Sequence, residues 1–325
     1  MEKERKSIRW GLLLIALAAA LRLAMAAFSG FDLGGISAEK TVAWLLYLES
    51  GRFPRPGPEQ TAPADSAQPT TACAAPTPLL QPEDARLVSV NNDTSLTPDV
   101  PALLLAADFP SLAGSGPTVL IVHTHASESY LAQAGYTESS PYRTHDPNHN
   151  MVSVGAALAE LLRGRGIGVI HDTRLHDVPD YNSAYTNSRA AIREYLALYP
   201  SIRLVLDLHR DAGSDYVNQL TTSATVAGEA SAQLMLVVST GHDNWQQNMS
   251  CAVQLQAVLE KTWPGLCRDI NFRTGRFNQD LGPVTLLVEV GAAGDTRQEA
   301  LVAVEALADA IEALSRQGLT ADPTR

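Results

Sequence analysis

Three short apolar runs in this chain of 325 residues lead directly into ionisable side chains. Residues 118–123 (TVLIVH) pass into His123-Thr124-His125 and then Glu128. Residues 202–209 (IRLVLDLH) end in Asp207, His209, Arg210 and Asp211, and residues 284–290 (VTLLVEV) carry Glu289. Two imidazoles and a carboxylate suit zinc, whose catalytic sites use three protein ligands and keep the fourth position open. A further carboxylate would serve as general base, taking a proton from water as it attacks an amide carbonyl. Each residue also has a plainer reading. One of His123 and His125 is structural, because a strand end aims only one of them at a shared metal. The plainer reading of Glu128 is a solvated loop acid and that of His209 a satisfied core histidine, each the lesser of its two readings. Glu289 stands alone in an apolar run, where a carboxylate is costly to bury unpaired. His171, His176 and Asp177 form a weaker cluster that would shape a cleft or sit in a solvated loop, and His145 and His149 read as exposed.

These ends meet only if the runs are neighbouring parallel strands. The pattern supports that: strands over 118–123, 167–171, 202–209, 233–239 and 284–290 alternate with helices over 152–165, 183–198 and 243–261, and a helix closes the chain. The first helix puts Leu158, Leu161 and Leu162 on one face and is ended by Gly166. The closing helix reads as capped by Asp295 with Gln298, its buried stripe being Ala300, Leu301, Val304, Leu307, Ala308, Ile311 and Leu314. Strands alternating with such helices predict an α/β fold with a largely parallel central sheet flanked by helices. Ligands in such sheets bind outside the carboxyl ends of the strands.

Composition narrows the class. With 45% hydrophobic and 18% charged residues the chain can bury a real core. Its three cysteines fit neither a disulfide framework nor a zinc-finger spacing, and a Cys251–Cys267 bridge carries little weight. A formal charge of −11 disfavours nucleic acid as a partner, since phosphate contacts need a basic surplus. The bases are concentrated at the start: Lys3, Arg5, Lys6 and Arg9 precede the apolar run GLLLIALAAAL. Residues 1–30 therefore read as a membrane segment. A retained single-pass anchor is favoured, with its amino end cytoplasmic and the rest exported; the alternative is secretion after cleavage near Ala26. Residues 31–85 read as a juxtamembrane helix and a Pro-rich linker. Residues 52–82, at about 3.1 Å each if polyproline-like, would span on the order of 90 Å. A catalytic domain is expected over 86–317 and a disordered tail over 318–325.

Seven blocks carry a resemblance: HTHASESY (123–130), VSVGAALAELL (152–162), AYTNSR (184–189), DLHRDA (207–212), DNWQQN (243–248), RFNQDLGP (276–283) and LLVEVG (286–291). Together they resemble the stage II sporulation protein P family of endospore-forming bacteria over about residues 86–315, with the anchor and tether besides. The resemblance implies a fold similar to zinc-dependent N-acetylmuramoyl-L-alanine amidases. It implies cleavage of peptidoglycan between the lactyl group of N-acetylmuramic acid and L-alanine, with an additional stem-peptide endopeptidase activity. It implies a role in forespore engulfment beside stage II sporulation proteins D and M. His125 (or His123) and His209 would then be zinc ligands and Glu289 the catalytic carboxylate. The related amidases place a ligand glutamate at the start of their first helix, where this chain has His149-Asn150-Met151-Val152. Glu128 is taken as the replacement, with Asp146 the alternate. Arg210, Asp211, His171, Asp177 and Asn278 are the substrate-cleft candidates. The alternative is a non-catalytic, membrane-tethered peptidoglycan-binding scaffold, against which the presence of both histidine-bearing ends and Glu289 tells. A serine hydrolase using Ser127 or Ser129 lacks the Gly-x-Ser-x-Gly elbow.

Overall fold

A computed structural model describes residues 79–320 apart from 107, 133–135 and 214–218. The expected membrane segment and nearly all of the linker lie outside the described residues, among which no helix is long and apolar enough to cross a membrane. In chain order the elements are β1 (Val90–Asn92), α1 (Val100–Leu105), β2 (Val119–Val122), α2 (Met151–Gly164), β3 (Val169–His171), α3 (Ala184–Leu198), β4 (Leu204–Asp211), β5 (Ala224–Val226), β6 (Glu229–Ser231), β7 (Leu234–Ser239), α4 (Trp245–Thr262), β8 (Ile270–Arg273), β9 (Thr285–Ala292) and α5 (Arg297–Thr320). Seven strands form one sheet in the order β1-β8-β7-β9-β4-β2-β3, and β5 and β6 form a separate antiparallel pair. All neighbours in the large sheet run parallel except β7 and β9. The expected largely parallel sheet is present, with one reversal that aims β7, β8 and β1 opposite to the rest.

The strands are apolar on both faces because both faces are covered. Leu120, Val122 and Val205 pack with Ile192 of α3 on one side. Ile121, Leu204, Leu206 and Leu208 join Leu158 and Leu162 of α2 and Leu307 and Ile311 of α5 in the main core on the other. Since strand side chains alternate, Asp207 and His209 emerge on the same face as Val205, toward α3.

The helix ends explain their lengths. Asn150 caps α2 by accepting from Val152 N at 3.0 Å, and Gly166, at φ 79°, turns the chain out past its end. At α5 the expected cap is displaced by one residue. Thr296 and Glu299 form a reciprocal capping box, while Asp295 instead accepts from Thr222 and from Ala292 N. Cys251 and Cys267 are free thiols, so that bridge is absent. Packing begins ahead of Arg86: Leu80 is in the main core, and Asp84 pairs with Lys261 of α4 at 2.8 Å.

Candidate metal centre and active site

β9, β4 and β2 are adjacent and parallel, so their carboxyl ends lie side by side. His209 and Glu289 are register partners, as are Val122 and Asp207. The two histidines after β2 part company. His123 continues the strand on the face of Ile121, toward α2. Its Nδ1 lies 3.2 Å from the Leu208 carbonyl and its Nε2 2.9 Å from Nε2 of His171, at the end of β3. Gly155 makes room for this pair, since a Cβ there would stand 2.3 Å from His123 Nε2. Beyond it the chain turns, with Glu128 N donating to the His125 carbonyl, and this carries His125 to the other side. The His125 ring stacks on Tyr181 at 4.4 Å and meets His209 edge-on at 5.5 Å.

Two carboxylates flank His209. Its Nδ1 is 3.5 Å from Glu128 Oε2, and its Nε2 is 3.1 Å from Asp207 Oδ1, outside hydrogen-bonding geometry. Asp207 is fixed by Thr124, which donates from its backbone N (2.8 Å) and its hydroxyl (2.5 Å). Burial opposes charge on His209, but Asp207 and Glu128 outweigh it and raise its pKa well above the ordinary value. Burial would likewise raise Glu128; His209 and Arg210 overcome it and hold that carboxyl at about 2. Arg210 N donates to Glu128 Oε2 at 3.2 Å, and Arg143 reaches Glu128 Oε1 at 3.4 Å. Arg143 also bonds Asp177, which accepts from the backbone and hydroxyl of Ser127. Glu289 behaves oppositely. Burial pushes its carboxyl up to about 8, with Glu128 and Asp211 adding to the rise and His209 opposing it.

The donor set fits a divalent metal with nitrogen preference. His125 Nδ1, His209 Nε2 and Glu289 Oε2 are buried without a hydrogen-bond partner, a costly condition for polar atoms. Burial lowers His125 to about 4, leaving the neutral imidazole that ligation requires. A cation in place of the His209 proton would preserve the balance against Glu128 and Asp207. Among the described residues, no three His, Cys, Asp or Glu groups already stand at metal-holding spacing.

The remaining expected residues have other places. Asp146 bonds Asn148 and His149 in a loop. Asp211 pairs with Arg268 at 2.7 Å. Asn278 joins α3 by donating to the Tyr185 carbonyl and the Ser188 hydroxyl. Arg210 is turned inward, donating to the carbonyls of Ser129 and Tyr142, so it supports the loop carrying Glu128. His176 is buried against Asp172 at 2.9 Å. The Ser127 hydroxyl donates to Asp177 and that of Ser129 bonds Tyr136, so neither serine has the histidine a serine nucleophile needs. The sequence reading named Asp207 at its strand end but gave it no role, and it did not single out Arg143 or Tyr181. The signal for Asp207 was available: it shares a strand face with His209, two residues away.

The family model for stage II sporulation protein P matches residues 59–312. A curated relative, stage II sporulation protein P of Bacillus subtilis (strain 168), is 29% identical over 207 residues, covering 60% of this chain and 50% of that protein. The aligned region thus spans about half the length of the relative. Among solved structures, N-acetylmuramoyl-L-alanine amidase AmiC2 of Nostoc punctiforme has a TM-score of 0.38 at 13% identity, over 61% of this chain and 97% of that one. The CwlD amidase from Clostridioides difficile, solved in complex with the GerS lipoprotein, has a TM-score of 0.36 at 14% identity, over 63% of this chain and 100% of that one.

Proposed function

The chain belongs to the stage II sporulation protein P family, and on that premise we propose that it is a zinc-dependent peptidoglycan hydrolase of sporulation. The reaction is hydrolysis of the amide between the lactyl group of N-acetylmuramic acid and L-alanine. The observation that carries this reading is the meeting of His125, Glu128, His209 and Glu289 at the ends of three adjacent strands, with partnerless buried atoms on His125 and Glu289 and with His209 between two carboxylates.

His125, Glu128 and His209 would hold the zinc. When bound, zinc polarises the amide carbonyl and makes water a stronger acid. Without a cation nearby, a Glu289 carboxyl at about 8 keeps its proton at neutral pH; a neighbouring dication favours the ionised form. Ionised Glu289 takes a proton from the attacking water as its oxygen bonds to the carbonyl carbon. It returns that proton to the alanine nitrogen as the C–N bond breaks, giving a free amine and a lactyl carboxylic acid that loses its remaining proton to solvent. Arg143 and Arg210 keep Glu128 ionised and in place. In the same reading, residues 1–30 anchor the chain in the cell membrane and the Pro-rich linker lifts the exported domain to the wall. It works there with stage II sporulation proteins D and M, and any stem-peptide endopeptidase activity uses this same site.

The test is digestion of purified muropeptides by the metal-loaded chain, with products weighed by mass spectrometry. Peptides with a free amino-terminal alanine are expected, together with one zinc per chain, loss of turnover on chelation and recovery with zinc. Turnover that survives complete zinc removal would overturn the metal assignment, and cleavage only within the peptide would overturn the bond assignment.

A further inference from the structure

A second polar feature lies beside the catalytic groups. Tyr130, Leu131, Tyr136, His149 and Arg297 line a recess with room for one water-sized group. It belongs to the same edge of the sheet. Tyr130 follows Glu128 by two residues, and its hydroxyl donates to the Val290 carbonyl, next to Glu289, at 2.8 Å. Leu131 N donates to the Asp295 carbonyl just before α5, where Arg297 begins the helix.

The chemistry of the lining favours an anion. Arg297 gives its Nε to Ser153 Oγ at 2.9 Å, and among the described residues its guanidinium has no acidic partner. His149 engages Asp146 through Nδ1, leaving Nε2 uncommitted, and Tyr136 shares a 2.6 Å hydrogen bond with Ser129. Arg297 is half-buried in a chain where acids outnumber bases 35 to 24. The recess is too small for a sugar ring but admits one oxygen of a carboxylate, the group guanidinium donors bind best.

We propose that this recess binds a carboxylate of the substrate's stem peptide and so fixes which side of the scissile bond the peptide leaves from. The proposal rests on the peptidoglycan-hydrolase reading above. Stem peptides carry carboxylates beyond their first alanine, whereas the lactyl carboxyl on the glycan side is tied up in the scissile amide. Arg297 is thus a specificity residue that touches the peptide but not the reacting atoms.

Steady-state kinetics on muropeptides with free or amidated carboxylates test this, using wild type, Arg297→Ala, Arg297→Lys and Ser153→Ala. A hydrogen bond to a charged group contributes about 1.5–3 kcal/mol, so Arg297→Ala should raise KM on the free acid roughly 10- to 100-fold with kcat little changed. Wild type should lose as much on the amidated substrate, and Arg297→Ala should lose nothing further there. Arg297→Lys should recover part of the affinity, and Ser153→Ala should leave the preference for the free acid intact. Equal KM values for wild type and Arg297→Ala would overturn the proposal. So would a fall in kcat and melting temperature that leaves the free-to-amidated ratio unchanged. Calorimetric binding of the same muropeptides separates the two readings. Absence of wild-type turnover sinks the hydrolase, while the free-versus-amidated difference in affinity still decides the recess.

Discussion

Glu289 and His209 are register partners, yet their removal should have different effects. Glu289→Gln keeps shape and hydrogen bonding but removes the proton acceptor, so zinc content should hold while turnover falls roughly 10²–10⁴-fold. His209→Ala removes a ligand, so metal and turnover should fall together; zinc analysis and turnover on the same samples check both. If Glu289→Gln lost its zinc as well, Glu289 would be a ligand. A second expectation concerns the metal-free protein. The unfolded chain gives up the Glu289 proton near 4.5, whereas the folded chain keeps it to about 8. Between those values the folded state binds more protons, so stability should fall as pH rises through this window. Urea midpoints at pH 5 and 8 should show that loss in the chelated wild type and a smaller one in Glu289→Gln. His209 and Glu289 stood out in the sequence because each is a polar group ending or interrupting an apolar run, whereas Glu128 lies in a polar stretch and was taken as the replacement for the related amidases' ligand glutamate. The choice between His123 and His125 was not legible, because the two share strand parity and only the turn after β2 separates them. Arg143 and Tyr181 come from loops that fold back over the site, and no periodicity marks such residues.

The elements are held at spacings that tolerate little change. α2 approaches β2 and β3 closely only because Gly155 has no side chain where His123 and His171 meet. Gly155→Ala should overpack that contact and cost about 1–3 kcal/mol, read as a lower urea midpoint with unchanged slope. Adding His123→Ala should return part of the loss, a coupling that a mere change in helix propensity would not produce. β2, β3, β4, β7 and β9, and all the long helices, were readable from the sequence pattern. β1, α1, β8 and the β5–β6 hairpin were not, since three to six residues carry too little pattern to separate from loop. The antiparallel meeting of β7 and β9 also left no trace in sequence, because a strand buried on both faces reads the same in either direction. The shifted cap of α5 has a local cause. Asp295 is drawn off by Thr222 and Ala292, and the Thr296–Glu299 pair is free to take its place.

At the scale of the molecule, the α/β class and the largely parallel sheet followed from the alternation of strands and helices, but the start of the packed region did not. A Pro-rich stretch reads as linker up to its last proline, whereas Leu80 and Asp84 are already engaged with α4 and the core. A chain starting at Ala74 should therefore melt higher than one starting at Val88, which forfeits the burial of Leu80, about 1.5–3 kcal/mol. Both should turn over substrate equally well below their melting temperatures; thermal melts and low-temperature assays check the two halves of that statement. The position of β9 has a consequence in time. This strand lies between β4 and β7 in the sheet, yet it follows both in the chain. A chain that emerges amino end first presents both histidines long before the base that would act with them. Under the proposed function, hydrolytic competence would therefore wait for β9. A product ending before Thr285 would lack that competence, and the open flanks of β4 and β7 would leave it prone to self-association.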